Sequence, residues 1–426
     1  MTRLSARPAL ACLLLACLIP PGASAAENTS PAVDSSPFKM LVPMADAPIR
    51  LTSGPYAGNY YVPSTLQTIT WGYLPNRTSR PVLTIPSGSR ITFDTISHEG
   101  ILEDQGRDPV RYFGSKGVAA DLVLPDAIAI AASDRAHDFD KDGPHVVTGP
   151  VAIEGAMPGD VLKVEILSIE PRVPYGVISN RHGKGALPGE YPKTTAQPNP
   201  SSAHPERYGN VSVFTPIETT SGTGPGFGVL DAGADRKIRF PLAPFMGIMG
   251  VAANTDQRVH SVPPADHGGN VDVNDLGAGA TAYYPVFVPG ALFYTGDSHF
   301  VQGDGEVALT ALEGSARATF RITLLKSGQP GVPGKKLTQP LGETAEHWIT
   351  LGLDPDLDEA MKKATRESIR FLVDEFGIDE ALAYAYLSAA TDFEVSQVVD
   401  RTKGIHGMIS KSDFSDFPPK DSGKAR

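Results

Sequence analysis

Histidine, carboxylate and amide side chains are concentrated in one glycine-rich stretch of this 426-residue sequence. The stretch begins with HGGNVD at residues 267–272 and ends with GDSHFVQGDGE at residues 296–306, and the apolar segment 282–293 lies between them. Imidazoles and carboxylates are costly to bury unless they are paired or bind a metal, and glycine lets the backbone approach a ligand closely. We therefore expect the chemistry of the protein in this stretch.

The spacing of these residues suits strands that present several ligands to one point. Residues two apart in a strand point to the same face, so Asn270 would project with Asp272, and Asp297 with His299. Nitrogen and oxygen ligands from two strands suit Zn²⁺ or a similar divalent ion. The alternative is that the Gly-Asp and Asp-Gly pairs form turns and the histidines are hydrogen-bonded surface groups.

Four segments of the sequence resemble the acetamidase/formamidase family and occur in the family's order. They are PFMGIMG at 244–250, HGGNVD at 267–272, PVFVPGALF at 285–293 and GDSHFVQGDGE at 296–306. The resemblance extends from about Trp71 to the C-terminus. It implies a metal-dependent hydrolase of short amides that releases ammonia and a carboxylate.

With this resemblance, we assign roles to particular side chains. The predicted ligands of a divalent metal, with zinc as the first choice, are His98, His267, Asp272, Asp297 and His299. The predicted general base is Glu306, with Asp304 as the next choice, and the side chains predicted to orient the substrate are Asn270 and Gln302. A solvated loop histidine is the alternative for His98, and His145 is a weaker candidate for the site.

The cysteine content excludes one common route to amide hydrolysis. The two cysteines, Cys12 and Cys17, lie inside a predicted signal peptide, so the mature chain would have neither a disulfide framework nor a cysteine nucleophile. The sequence also has no Gly-x-Ser-x-Gly motif for a serine nucleophile. A metal is the remaining common means of attacking an amide.

The N-terminus has the features of a secretory signal peptide. Arg3 and Arg7 precede an apolar run at residues 9–19, and the small residues ASA at 23–25 form a cleavage site. We expect cleavage after this site and a periplasmic or secreted protein. Lipid attachment at Cys17 is the alternative, but two hydrophobic residues follow this cysteine.

Charge and composition restrict the partners. The formal charge is -11 and there is no basic run, which argues against a nucleic acid partner. The apolar N-terminal run is too short to span a membrane. We expect a homo-oligomer that acts on a small-molecule amide. The alternatives are a secreted metal-dependent hydrolase of another bond and a non-catalytic periplasmic binding protein.

The sequence predicts an α+β, mostly β protein with β-barrel or β-sandwich modules and a C-terminal helical hairpin. With 43 glycines and 38 prolines, many short strands joined by turns are expected, and residues 148–166 are expected to form a β-hairpin. Asp354 is the predicted N-cap of a helix that ends at Gly377, and a second helix is predicted at 378–390. The predicted segments are a signal peptide (1–25), a flexible lead-in (26–55), an N-terminal β domain (56–172), an irregular insert or cover (173–237), a core β domain with the site (238–330) and a C-terminal α-containing segment (331–426).

Overall fold

The computed structural model of the protein describes residues 38–218, 226–329, 331–334 and 336–417. The predicted signal peptide and the first part of the predicted lead-in lie outside the described residues. Within them, strands greatly outnumber helices, and two large sheets dominate. The predicted α+β, mostly β fold class is confirmed.

The secondary structure consists mainly of short strands. The strands are β1 (Ile49–Arg50), β2 (Tyr60–Val62), β3 (Ile69–Trp71), β4 (Tyr73–Leu74), β5 (Leu83–Ile85), β6 (Ser89–Asp94), β7 (Val146–Ile153), β8 (Val161–Pro171), β9 (Tyr175–Asn180), β10 (Val211–Glu218), β11 (Phe227–Asp231), β12 (Lys237–Pro241), β13 (Phe245–Gly250), β14 (Val259–His260), β15 (Gly268–Asn270), β16 (Thr281–Pro285), β17 (Phe293–Val301), β18 (Leu312–Glu313), β19 (Ala316–Leu325), β20 (Leu341–Glu343), β21 (His347–Asp354), β22 (Asp392–Gln397) and β23 (Lys403–Ser410). The α-helices in the described ranges are α1 (Pro109–Gly114), α2 (Pro125–Ala131), α3 (Leu357–Phe376) and α4 (Glu380–Ala390).

Two sheets stack on each other around an apolar core. The first has the strand order β1-β2-β6-β19-β8-β16-β20-β21-β23-β22, and the second has β12-β11-β10-β9-β18-β17-β13-β15, with β7 joining β17 to β3 and β5. Phe93 and Phe320 of the first sheet meet Phe293 of the second, edge to face, at centroid distances of 5.9 and 5.6 Å. All three rings are fully buried, so this aromatic contact holds the two sheets together.

Strand β17 is the central element for function. It hydrogen-bonds to β13, β18 and β7, and eight of its nine residues are buried. Side chains on β17 are therefore enclosed by the following strand, β18, and by two strands from earlier in the sequence, β7 and β13. Asp297 and His299 both lie on this strand.

Strand pairing crosses the boundaries predicted between segments. Strand β19, from the predicted core domain, lies between β6 and β8 of the predicted N-terminal domain. The predicted irregular insert contains β9, β10 and β11, which continue the second sheet. The predicted segments therefore contribute strands to the same two sheets.

The β-hairpin predicted at residues 148–166 is wrong. Both strands exist, as β7 and β8, but β7 pairs with strands of the second sheet and β8 pairs with β19 and β16 of the first. The turn between them carries the chain from one sheet to the other. Strand β8 pairs with β19 over ten positions, whereas β7 lies between β17 and the short strands β3 and β5.

The C-terminal helical pair is confirmed, with a later start for the first helix. Asp356 is the N-cap of α3, since its Oδ1 accepts hydrogen bonds from the amides of Asp358 and Glu359. The predicted cap, Asp354, instead accepts a hydrogen bond from the amide of Asp356. Gly377 ends α3 with a φ of 71°, as predicted. Every helix within the described ranges is too short or too polar to cross a lipid bilayer.

Candidate functional site

A cleft of about 340 Å³ lies where β17 meets the loops around it. Six of the polar side chains that line it come from separate parts of the chain: His98, His145, Asn270, Asp297, Glu306 and Glu313. All of them are buried, with 6% exposure or less. The cleft therefore brings together four of the side chains that the sequence predicts for the site, namely His98, Asn270, Asp297 and Glu306.

Asp297 is surrounded by three imidazoles. Its Oδ1 lies 3.4 Å from Nδ1 of His98, and its Oδ2 lies 3.5 Å from Nε2 of His145 and 3.2 Å from Nε2 of His299. His98 follows β6, His145 immediately precedes β7, and His299 lies on β17, two residues after Asp297. Three separate segments thus converge on one carboxylate.

Three carboxylates of the site lie on residues with left-handed backbone conformations. Asp272, Asp297 and Glu306 have φ angles of 49°, 50° and 46°. For residues other than glycine this conformation costs about 1–3 kcal/mol and persists only where the surrounding structure imposes it. Such strain is typical of functional sites, and here it directs three carboxylates to the same region.

Gly247 on β13 provides the space for Asp272 and His299. A Cβ atom at residue 247 would lie 2.6 Å from Oδ1 of Asp272 and 2.8 Å from Cε1 of His299. Both contacts are far shorter than van der Waals distance, so any larger residue would push these side chains apart. This explains the glycine in the middle of an otherwise large apolar strand.

Gln302 holds His299 in one orientation. Its Oε1 lies 2.9 Å from Nδ1 of His299, while its Nε2 donates to the carbonyls of Asp272 and Ser396. With Nδ1 donating to Gln302, Nε2 faces the carboxylates of Asp297 and Glu313, at 3.2 and 3.1 Å. Burial opposes a charged ring, but Glu313 and Asp297 outweigh it and raise the pKa of His299 well above its usual value, so Nε2 donates to these carboxylates. Gln302 therefore positions a histidine and does not line the cleft, unlike the substrate-orienting role predicted from sequence.

A second group of carboxylates lies next to Asp297. Asp272, Glu306 and Asp400 form one cluster, and Glu306 also lies with Glu313 and His299. Burial and the neighbouring Asp400 raise the pKa of Glu306 well above its usual value. Burial raises the pKa of Asp400 to about 7, with Asp297 adding to the shift. A positive charge, such as a cation, would stabilise the ionised forms of these buried carboxylates.

The imidazoles differ in their proton affinity. Burial opposes a charged His98, but Asp297 and Glu99 outweigh it and raise its pKa to about 10. Burial lowers the pKa of His145 to about 3. The His145 ring is therefore neutral and can offer a nitrogen lone pair to a cation. The His98 ring carries a proton, and its positive charge partly balances the carboxylates.

Arg181 and Glu99 form the outer wall behind His98. Glu99 contacts Nε2 of His98 at 3.2 Å and accepts from the Arg181 guanidinium at 3.0 Å. Burial alone would raise the pKa of Glu99, but Arg181 and His98 lower it to about 2. Glu99 therefore stays ionised and fixes the orientation of the His98 ring.

The arrangement around Asp297 fits a divalent cation. A tetrahedral ion with bonds of about 2.0–2.1 Å keeps its ligand atoms about 3.3–3.4 Å apart, and the contacts of Asp297 with His98 and His145 are 3.4 and 3.5 Å. Oδ1 of Asp297 and both ring nitrogens of His98 are buried and, among the described residues, lack hydrogen-bond geometry to any partner. Atoms that are close without hydrogen-bonding are what ligands of a shared ion require.

Two residues predicted for the site lie elsewhere. Nδ1 of His267 lies 3.1 Å from the Tyr294 hydroxyl, and His267 joins none of the potential metal-binding groups found in the described part of the chain. Asp304 is exposed and accepts a hydrogen bond from Asn274. Neither residue lines the cleft.

Sequence reasoning missed Glu313 and Asp400 and ranked His145 too low. Glu313 lies opposite His299 in the β17–β18 pair, and Asp400 follows β22. His145 immediately precedes β7, whose Val147 pairs with Gly296. Each is placed by strand register or by a loop after a strand, and residue spacing in the sequence does not show either.

Fold and site together define a β-rich protein with a buried histidine–carboxylate centre at the edge of a cleft. The sequence model of the Acetamidase/Formamidase family matches residues 126–258 and 251–409. The chain belongs to the acetamidase/formamidase family, and the resemblance noted from its motifs is confirmed.

Individual relatives are similar at low identity. An acetamidase of Mycolicibacterium smegmatis is 28% identical over 267 residues, which cover 53% of this chain and 66% of the relative. A formamidase of Methylophilus methylotrophus is 26% identical over 226 residues, covering 46% of this chain and 56% of the relative. The matched regions thus span less than two thirds of either relative.

Solved structures share the fold over nearly their whole length. An acetamidase from Bacillus halodurans superposes with a TM-score of 0.62 at 24% identity, covering 84% of this chain and 99% of that structure. An acetamidase from Yersinia enterocolitica gives a TM-score of 0.61 at 27% identity, covering 86% and 97%.

Proposed function

We propose that this protein hydrolyses the C–N bond of small linear amides in a metal-dependent reaction, releasing ammonia and a carboxylate. The observation that carries the proposal is the convergence of His98, His145 and His299 on Asp297 at the wall of a cleft. Membership of the acetamidase/formamidase family supports the same bond.

We assign the metal to His98, His145 and Asp297, with His299 and Asp272 close enough to complete or support the ligand set. Imidazole and carboxylate donors at these separations suit zinc. The chemistry that a divalent cation would supply here is Lewis acidity toward the amide carbonyl and the attacking water. His267, predicted as a ligand from sequence, is left out of this set.

Glu306 is the proposed general base. It is buried, lines the cleft, and has a pKa raised well above its usual value, so it can take up a proton and return it. In its ionised form it accepts a proton from water as the water oxygen forms a bond to the carbonyl carbon. It then passes that proton to the nitrogen, which leaves as ammonia when the C–N bond breaks.

The size and lining of the cleft favour a small substrate. A cleft of about 340 Å³ is at the lower end of ligand pockets. Oδ1 of Asn270 is buried without a hydrogen-bond partner in the described ranges, and the residue lines the cleft. We assign this oxygen to the N–H groups of the amide substrate, in the same cleft that Glu306 lines.

Export is part of the proposal, and it is supported by the N-terminal sequence alone. The arginines, the apolar run and the ASA site predict a mature N-terminus at Ala26. N-terminal sequencing of protein recovered from outside the cytoplasm tests this directly. An intact Met1, or a lipid on Cys17, would contradict it.

The function is tested by ammonia and carboxylate release from a panel of short aliphatic amides, with the matching esters as competitors. We expect ammonia from the amides, loss of activity after prolonged chelation, and recovery on addition of Zn²⁺. Iodoacetamide should have no effect on a chain processed at Ala26, because no cysteine follows Cys17.

Glu306→Gln is the critical variant, and Glu154→Gln is its matched control because Glu154 is exposed and outside the cleft. Glu306→Gln should abolish most turnover and Glu154→Gln should keep it. Ester hydrolysis without ammonia release from any amide would contradict the assigned bond. Full turnover in protein verified to be free of metal would contradict the proposed metal dependence.

A further inference from the structure

A second group of metal-ligand side chains lies outside the cleft, at the edge of the first sheet. It consists of Asp275, Glu394 and His406, whose donor atoms lie within 4.8 Å of one another. Glu394 on β22 is paired directly with His406 on β23, and Asp275 comes from the segment between β15 and β16. We propose that these three side chains form a separate binding site for a divalent transition metal of the zinc class.

The distances fit such an ion. Nε2 of His406 lies 3.4 Å from Oδ2 of Asp275 and 3.2 Å from Oε2 of Glu394. These values match the separation of about 3.3–3.4 Å between ligand atoms around tetrahedral zinc. One imidazole and two carboxylates leave a fourth position for water.

His406 provides an independent indication of a ligand. It is completely buried, and its Nε2 has no hydrogen-bond partner among the described residues, although it is directed at the two carboxylates. Its Nδ1 lies 2.8 Å from Oγ of Ser396. When Nδ1 donates to this hydroxyl, Nε2 presents its lone pair outward, which is the usual arrangement of a metal-binding histidine.

The carboxylates make the site accessible. The side chains of Asp275 and Glu394 are 32% and 37% exposed, whereas the histidine is buried. An ion can therefore enter from solvent and be held against the sheet. Its three residues belong to none of the groups around the cleft, so the outer site has its own ligand set.

A hydrogen-bonded chain connects this outer site to the candidate active site. Ser396, which contacts His406, accepts a hydrogen bond at its carbonyl from Nε2 of Gln302 at 3.0 Å. Oε1 of Gln302 lies 2.9 Å from Nδ1 of His299. An ion at the outer site would tie the segment after β15 to the β22–β23 pair and so brace the residues that orient His299.

The competing explanation is a protonated His406 that forms ion pairs with both carboxylates and binds no metal. Metal analysis separates the two explanations, because only a binding site adds an equivalent of metal. The exposed carboxylates are the residues to change, since their replacement leaves the buried core intact. Asp392→Asn is the matched control, because Asp392 is an exposed carboxylate on the same strand.

The experiment measures zinc per chain and the Zn²⁺-induced rise in melting temperature on the full chain, after removal of excess metal. We expect Glu394→Gln and Asp275→Asn each to bind one equivalent less than Asp392→Asn and to lose part of that rise. After Co²⁺ substitution, the ligand-field absorption of the outer site should be present in Asp392→Asn and absent from Glu394→Gln and Asp275→Asn. These readouts do not depend on amide hydrolysis, so failure of the proposed function leaves the test valid.

Two results would overturn the inference. One is an equal zinc content in wild type, Glu394→Gln and Asp275→Asn. The other is a loss of zinc in Asp392→Asn as large as in the other two variants, which would show that the metal responds to general charge and not to these ligands.

Discussion

Oε1 of Gln302 lies 2.9 Å from Nδ1 of His299, and the amide nitrogen of the same side chain donates hydrogen bonds to two backbone carbonyls, those of Asp272 and Ser396. The glutamine is thus anchored at one end and fixes a histidine at the other. Residues that orient a ligating or catalytic histidine in this way influence both metal affinity and activity.

Replacement of Gln302 by Leu should lower kcat by about 10- to 100-fold and leave KM nearly unchanged, because the ring of His299 loses its acceptor. Gln302→Glu keeps an acceptor oxygen but loses the donor to the carbonyls of Asp272 and Ser396, so it should lower kcat as well. Steady-state kinetics on both variants give the answer. A rise in KM with normal kcat would favour the sequence-based prediction that Gln302 binds substrate.

His145 and His267 provide a direct comparison between the structure and the sequence-based ligand set. Nε2 of His145 faces Asp297 at 3.5 Å, whereas His267 contacts the Tyr294 hydroxyl. We expect His145→Gln to lose metal and His267→Gln to retain it, as measured by metal analysis of folded protein. The reverse pattern would restore His267 to the ligand set and remove His145.

The local features of the fold were predictable, and the pairing of strands was not. The end of α3 at Gly377 follows from one residue that tolerates a positive φ. In contrast, the strands predicted as one hairpin, β7 and β8, lie in different sheets because each pairs with strands far away in the sequence. Turn residues alone do not show whether a chain reverses or crosses to another sheet.

The same distinction explains the site. Asp297 and His299 could be predicted because both lie on one strand. Glu313 joins them only through the register of β18 against β17, and the sequence does not encode that register in any short motif. His267 lies apart from this group, because Gly268 and Gly269, both with φ near 90°, turn the chain after it and its ring contacts the Tyr294 hydroxyl.

Metal affinity should rise with pH because a proton occupies His98. The pKa of His98 is raised to about 10, so the ring is protonated at neutral pH and must lose a proton when it binds a cation. His145, with a pKa near 3, is already neutral and adds no such dependence. The zinc dissociation constant should therefore fall by up to about tenfold for each unit between about pH 6 and pH 8. Competition with a chromogenic chelator measures this dissociation constant at each pH. The same pH dependence in His98→Gln would contradict the assignment of His98 as a protonated ligand.

The last prediction separates metal binding from proton transfer. Asp297→Asn keeps the shape of the side chain but loses the charge on which three imidazoles converge, and His299→Ala removes one of those imidazoles. Both variants should lose metal and turnover together. Glu306→Gln should keep the metal and slow the chemical step by about 10²–10⁴-fold, the usual contribution of a general base.

Metal content and turnover are measured on the same preparations, after circular dichroism has shown that each variant is folded. Asp304→Asn belongs in the series, because Asp304 was the second choice for the base and lies exposed outside the cleft; it should keep its turnover. Full metal occupancy in both Asp297→Asn and His299→Ala would remove them from the ligand set. Normal turnover in Glu306→Gln together with loss of turnover in Asp304→Asn would transfer the base to Asp304.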